Sequence, residues 1–192
     1  MSRVTLTRMS AAIVIALVFV VPLCTLGVGA QVEVPKFQLP AVITAPGQAP
    51  EYAIVNMMFN RIRIPVKTDP MLEADQIGDA KTLIIIIGGS GKGLGAAGVD
   101  LADEVARAKR LLQTAKQRGT RVLGIHVGGE ARRGDNSQVM IDLVTPQCAC
   151  VIVRSDGNAD GVFTKLTQQA KIPLLVIEKT TELSDIFMNM FQ

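Results

Sequence analysis

The stretch TLIIIIGG at residues 82–89 decides the fold. Four consecutive isoleucines, Ile84 to Ile87, leave no polar position on either side of an extended chain. Both faces of such a strand must be covered, which is the pattern of a central strand in a parallel sheet; a strand with one face in water alternates apolar with polar residues. The glycine pair that follows ends the strand and opens a turn.

Outward from this strand the same unit repeats. Upstream, AVIT at 41–44 reads as a short strand. After the turn residues that follow it, Pro50 and Glu51 start a helix on which Ile54, Val55, Met58, Phe59 and Ile62 recur at helical spacing. Ile64 to Thr68 reads as a second strand, followed by a loop and a weak helix across Pro70 to Asp79. Downstream, Asp100 caps a helix whose inner face is Val105, Ala108, Leu111, Leu112 and Ala115 and which Gly119 stops. Then come the strand RVLGIHVG, a helix from Ser137 to Val144, the strand CVIVR, a helix from Asp160 to Ala170, the strand PLLVIE and a terminal helix from Thr181 to Met190. Strands alternating with helices predict an α/β fold: a doubly wound, three-layer parallel sheet of five or six strands, flavodoxin-like or Rossmann-like, with order 2-1-3-4-5.

At 48% hydrophobic and 19% charged the chain has the composition of a folded domain rather than a disordered one. With no Trp and a single Tyr it also lacks a stacking platform for single-stranded nucleic acid. The N-terminus carries Arg3 and Arg8, an apolar run from Ala11 to Cys24, and the small residues Val28, Gly29 and Ala30. This predicts residues 1–30 as a secretory signal cleaved after Ala30, 31–40 as an extended arm with Pro35 and Pro40, and 41–192 as one domain, exported to the periplasm or the cell exterior. The alternative is a retained membrane anchor, since Ala11 to Val28 is almost long enough to span a bilayer. Without Arg3 and Arg8 the charge falls to 18 basic against 17 acidic residues, so the pI near 8.9 partly reflects the leader and no nucleic-acid partner is expected.

Cys24 leaves with the leader, and Cys148 and Cys150, two apart on a strand, would share a face. A pair of buried thiols is one reading and a strained redox pair the other. One histidine in the chain gives no metal site, and no cofactor is expected.

In an open α/β sheet, ligands bind beyond the carboxyl ends of the strands where the strand order reverses. The loops after strands are the polar, glycine-rich ones: TAPGQAPE at 44–51, GGSGKGLGAAGVD at 88–100, HVGGEARRGDNS at 126–137 and RSDGNADG at 154–161. Gly89, Gly93 and Gly95 match a dehydrogenase spacing, but no Tyr-x-x-x-Lys follows; Gly91 and Lys92 resemble part of a P-loop, but Gly93 stands where a hydroxyl must bind the metal. The physical content that remains is close backbone approach and an anion nest. The expected ligand-binding set is therefore Gly47, Gln48, Gly89, Ser90, Gly91, Lys92 and Gly93, together with Glu130, Arg132 and Arg133, whose guanidinium groups clamp anions. One of the two arginines is expected on the ligand and the other on a carboxylate. Asp156, Asn158 and Asp160 read as turn and helix-cap residues. Ser90, His126 and Glu130 form the one conceivable nucleophile, base and orienter, with a hydrogen-bonded core histidine as the other reading of His126.

The runs TAPGQAPEYA, GGSGKGLGAAGVDL and GGEARRG, in this order behind a signal peptide, resemble an uncharacterised family of exported bacterial α/β proteins, a domain of unknown function. The resemblance spans Ala41 to Phe191 and brings no activity with it. The expected function is an exported binding protein for a small anionic molecule, serving a membrane transporter or sensor. The alternative is a secreted hydrolase of esters or phosphoesters using Ser90 and His126.

Overall fold

The computed structural model of the chain describes residues 34–191; the expected signal segment and the first residues of the arm lie outside them. The described residues form one compact unit. Its six strands are β1 (Ala41–Thr44), β2 (Lys67–Thr68), β3 (Thr82–Ile86), β4 (Arg121–His126), β5 (Cys150–Arg154) and β6 (Leu174–Ile177). They form one sheet in the order β2-β1-β3-β4-β5-β6, and every neighbouring pair is parallel.

The isoleucine strand is central, as its sequence demands. Ile84 pairs with Ile43 of β1 on one side and with Leu123 of β4 on the other. Its side chains alternate between two cores. Ile84 and Ile86 pack with Val55 and Phe59 of α1 (Tyr52–Arg61) and Phe187 of α6 (Leu183–Met190). Leu83, Ile85 and Ile87 pack with Leu111 of α3 (Leu101–Arg118), Ile141 of α4 (Asp135–Val144) and Phe163 of α5 (Val162–Ala170). Helices on both faces make the sheet doubly wound, and right-handed crossovers account for the placement. Phe59 and Phe187 stack with centroids 4.0 Å apart, and Phe191 meets Phe59 edge-on at 5.3 Å, which ties the terminal helix to α1.

The caps were legible: Asp100 accepts from the Asp103 N–H at 2.8 Å to start α3, and Gly119 ends it in the left-handed conformation. Three of the expected elements need correction. The strand expected over Ile64 to Thr68 shrinks to Lys67 and Thr68, because Arg63 takes a positive φ of 58° and Pro65 lacks the N–H a ladder needs. The weak helix across Pro70 to Asp79 is a single 3-10 turn, Ala74–Ile77. The loop at 88–100 contains a helix, α2 (Gly91–Ala97), despite three glycines, because Ser90 caps it by accepting from the Gly93 N–H at 3.1 Å.

The arm is tied down rather than free. Phe37 is buried, its N–H donates to the Met190 carbonyl at 2.8 Å, and the Arg121 guanidinium lies 4.6 Å above its ring. Among the described residues no helix is long and apolar enough to cross a membrane.

The two cysteines do not share a face. β5 begins at Cys150, so Cys148 lies in the preceding turn rather than on the strand. Cys150 belongs to the core under α1 and α6, Cys148 to the core under α3, α4 and α5, and both are free thiols. Burial raises both thiol pKa values, that of Cys150 to about 12.

Candidate functional site

The carboxyl ends of β1, β3, β4 and β5 deliver four loops to one edge of the sheet, and direct hydrogen bonds join them. The Ser90 N–H donates to the Gly47 carbonyl at 2.8 Å, and Gln48 bridges Gly89 in antiparallel fashion. The first and third strand loops therefore face each other, as the 2-1-3 order requires, but they are pressed together. A Cβ on Gly47 would overlap the Gly88 carbonyl oxygen, and one on Gly93 would overlap the Gln48 carbonyl. The space between these loops is filled by their own backbone. Gly47, Gln48, Gly89, Ser90, Gly91 and Gly93 are brought together there, while Lys92 is exposed on α2.

Sequence reasoning missed what braces this junction. Glu104 and Arg107 of α3 are almost fully buried, at 1% and 2% exposure. Arg107 Nε and Nη2 donate to the two Glu104 oxygens, each at 2.7 Å. Glu104 Oε2 also accepts from the Gly47 N–H and from Gln48 Nε2, both at 2.8 Å. Burial alone would raise the carboxyl pKa, but the hydrogen bonds from Arg107, Gly47 and Gln48 outweigh it and hold the group below its ordinary value. The one signal in the sequence was a charged pair three apart on the apolar side of an amphipathic helix.

The loops after β4 and β5 build a second, more open arrangement. Three arginines gather on three glycines. Arg132 packs on Gly128, Arg154 covers Gly129, and Arg133 Nη1 donates to the Gly157 carbonyl at 2.6 Å. A Cβ on Gly128 would meet the stem of Arg132, one on Gly129 the guanidinium of Arg154, and one on Gly157 the ring of His126. Arg132 Nε donates to Glu51 Oε1 at 2.7 Å, while its terminal nitrogens have no hydrogen-bonding partner among the described residues. Arg133 makes a two-pronged bond to Asp160, 2.9 Å on each oxygen, and adds Gln138 at 2.9 Å. Arg154 grips Asp156 with two bonds of 2.6 Å and holds that carboxyl at about 2. The Arg133 bonds likewise lower the Asp160 pKa.

Both arginines of the ARRG run hold carboxylates, Arg132 that of Glu51 from the loop after β1 and Arg133 that of Asp160 from the loop after β5, where the expectation gave one arginine a carboxylate and the other the ligand. Glu130, Arg133, Asp156, Ala159 and Asp160 line a cleft of about 170 Å³. Asn158 and Asp160 also act as expected, accepting from the Phe163 and Val162 N–H groups at the start of α5.

His126 is 1% exposed. Its Nδ1 lies 2.8 Å from the Ile87 carbonyl, so the neutral tautomer carries its proton there. Nε2 is buried without a partner and lies against Gly157, and the ring lies 5.1 Å from that of Phe163. Burial lowers its pKa below 6.5, and the Arg133 charge acts in the same direction. Ser90 spends its hydroxyl oxygen as the α2 cap. No hydrogen bond joins Ser90 to His126 among the described residues, and no cluster of His, Cys, Asp or Glu there could hold a metal ion.

No curated protein matches this sequence. A family model does, over residues 38–191, the whole of the domain from the arm to the end of α6. The chain with the tetra-isoleucine central strand and the arginine-lined carboxyl edge belongs to the family described as a domain of unknown function, DUF6305.

Proposed function

We propose that this protein binds a small anion at the carboxyl edge of the sheet, over the loops that follow β4 and β5. The observation that carries the reading is the gathering of Arg132, Arg133 and Arg154 on Gly128, Gly129 and Gly157, with the terminal nitrogens of Arg132 making no hydrogen bond among the described residues. Asp156 and Asp160 are 45% and 58% exposed, and ion pairs that open to water contribute little. An incoming anion can therefore exchange for either carboxylate. The N-terminus of α4 opens toward the same edge and favours negative charge.

The cleft that Arg133 lines with Glu130, Asp156 and Asp160, about 170 Å³, sets the scale of the ligand. It suits phosphate or a short carboxylic acid and is too small for a nucleotide, since drug-sized ligands occupy roughly 300–1,000 Å³. The basic, apolar leader motivates the rest of the proposal: the domain acts outside the cytoplasm after cleavage near Ala30, and passes its ligand or its ligand-bound state to a membrane transporter or sensor.

The experiment is a calorimetric titration with phosphate and a series of short mono- and dicarboxylates. Saturable binding of at least one, lost in Arg132→Ala and weakened in Arg133→Ala, is the expected result. Binding that is absent throughout, or unaffected by both substitutions, sinks the proposal.

A further inference from the structure

A different part of the same edge carries an independent inference. Glu104 accepts two donors from the β1 loop, the Gly47 N–H and the Gln48 side-chain amide, which also reaches Met71 Sδ at 2.8 Å. Gln48 is one of only three non-glycine residues with positive φ among those described, at 59°, and it follows Gly47 at 93°. A left-handed backbone of this kind at a non-glycine residue persists where the surroundings hold it. Here its effect is to aim the Gly47 N–H and the Gln48 amide at one oxygen. The opposite fork is Arg107, which reaches both oxygens. Four donors thus meet one planar anion at the point where the strand order reverses, which is where open α/β sheets bind their ligands.

The cage does not depend on Glu104. Arg107 Nη1 also donates to the Leu72 carbonyl at 2.9 Å and to Thr44 Oγ1 at 3.3 Å, and Nη2 to the Pro70 carbonyl at 3.0 Å. The guanidinium therefore keeps its place when the carboxylate is withdrawn. Gly47 keeps its backbone partner Ser90, and Gln48 its bridge to Gly89.

We infer that the strand-order reversal between β1 and β3 is a carboxylate-binding site that the chain fills with its own Glu104. The ligand class follows from the donors. They lie on the two oxygens of a planar group, three on Oε2 and one on Oε1, which fits a monoanionic carboxylate and gives a tetrahedral dianion no donor for its further oxygens. The site is closed to solutes while Glu104 is present, and it takes a small free carboxylate when that side chain is absent.

The test is replacement of the internal anion by an external one, using protein recovered from expression of the full chain. Glu104→Ala is melted with increasing formate or acetate, with chloride at matched ionic strength as the control. The expected result is a saturable rise in melting temperature of several degrees with formate and acetate, half complete in the millimolar range, and none with chloride. Wild type shows no such rise, and neither does the Glu104→Ala, Arg107→Ala double variant. If Glu104→Ala does not fold alone, refolding from denaturant in formate replaces the melt, and recovery of the folded signal only with carboxylate is the supporting result. A Glu104→Ala protein indifferent to carboxylates in both measurements, or a rise of equal size in the double variant, overturns the inference. Because these donors include neither Arg132 nor Arg133, the outcome is separable from that of the anion titration above.

Discussion

Arg132 Nε meets Glu51 Oε1 at 2.7 Å, so the loop after β1 and the loop after β4 are joined across the end of β3, the strand that lies between them. Glu51 is the fixed member: its side chain is 10% exposed, against 42% for Arg132. Glu51→Ala removes the group that orients Arg132. With one partner open to water, the expected cost in stability is only about 1 kcal/mol. Anion affinity falls by a larger factor than stability suggests, because Arg132 loses its direction. Urea unfolding and calorimetric titration of the same variant check the two halves.

The single histidine makes one pH dependence assignable. The His126 pKa is lowered by burial in the folded protein, so below 6.5 the unfolded chain binds a proton that the folded one resists. Stability is full above 6.5, declines as pH falls below that value, and levels off below the folded pKa. His126→Asn keeps a donor for the Ile87 carbonyl but cannot titrate, so its stability stays flat through that window. Urea melts at half-unit steps between pH 7.5 and 5 distinguish the curves, and a wild-type curve as flat as that of the variant contradicts the assignment.

Gly47 and Gly95 respond to alanine with opposite sign. Gly47→Ala places a Cβ on the Gly88 carbonyl in a backbone with φ of 93°, so nothing flexible can yield, and a loss of about 3 kcal/mol is expected. Gly95 in α2 has nothing within 4 Å of an added Cβ, and its helical backbone favours alanine. Gly95→Ala is expected to stabilise by about 0.5–1 kcal/mol. Thermal unfolding of both variants beside wild type gives the comparison.

Cys148 and Cys150 remain thiols. They lie in separate cores, and burial raises the pKa of each, so neither presents thiolate near neutral pH. A thiol reagent added to native protein modifies neither at an appreciable rate, and both react on unfolding. Fast labelling of either in the folded state, or an intact mass two hydrogens lower after mild oxidation, contradicts this placement.

The sheet was legible because its information is local: Ile84 to Ile87, Asp100, Gly119 and the Val151 to Val153 run each dictate an element or its end without distant help. The site was legible only as far as the loops. Gly47, Ser90 and Arg133 could be assigned to the carboxyl edge from strand order alone. Which charge meets which could not, because Arg133 to Asp160 and Arg132 to Glu51 are pairings between loops on different strands. α2 was missed because glycine content argues against a helix, whereas the Ser90 cap and the burial of Leu94 decide in its favour. The buried Glu104 and Arg107 were missed because an amphipathic pattern assigns charge to water, and only the three-dimensional cage supplies their compensation.

The parallel order of the strands also governs how the chain can fold. Thr82 pairs with Ala41 on one side and with Arg121 on the other, so the central strand gains each neighbour only by closing a loop of about forty residues. Contacts so distant along the chain make for slow folding compared with a helical bundle of equal size. During synthesis β3 is finished well before β4 exists, and through that interval four isoleucines stand at an open sheet edge. It is then, rather than in the finished protein, that the chain is most exposed to aggregation.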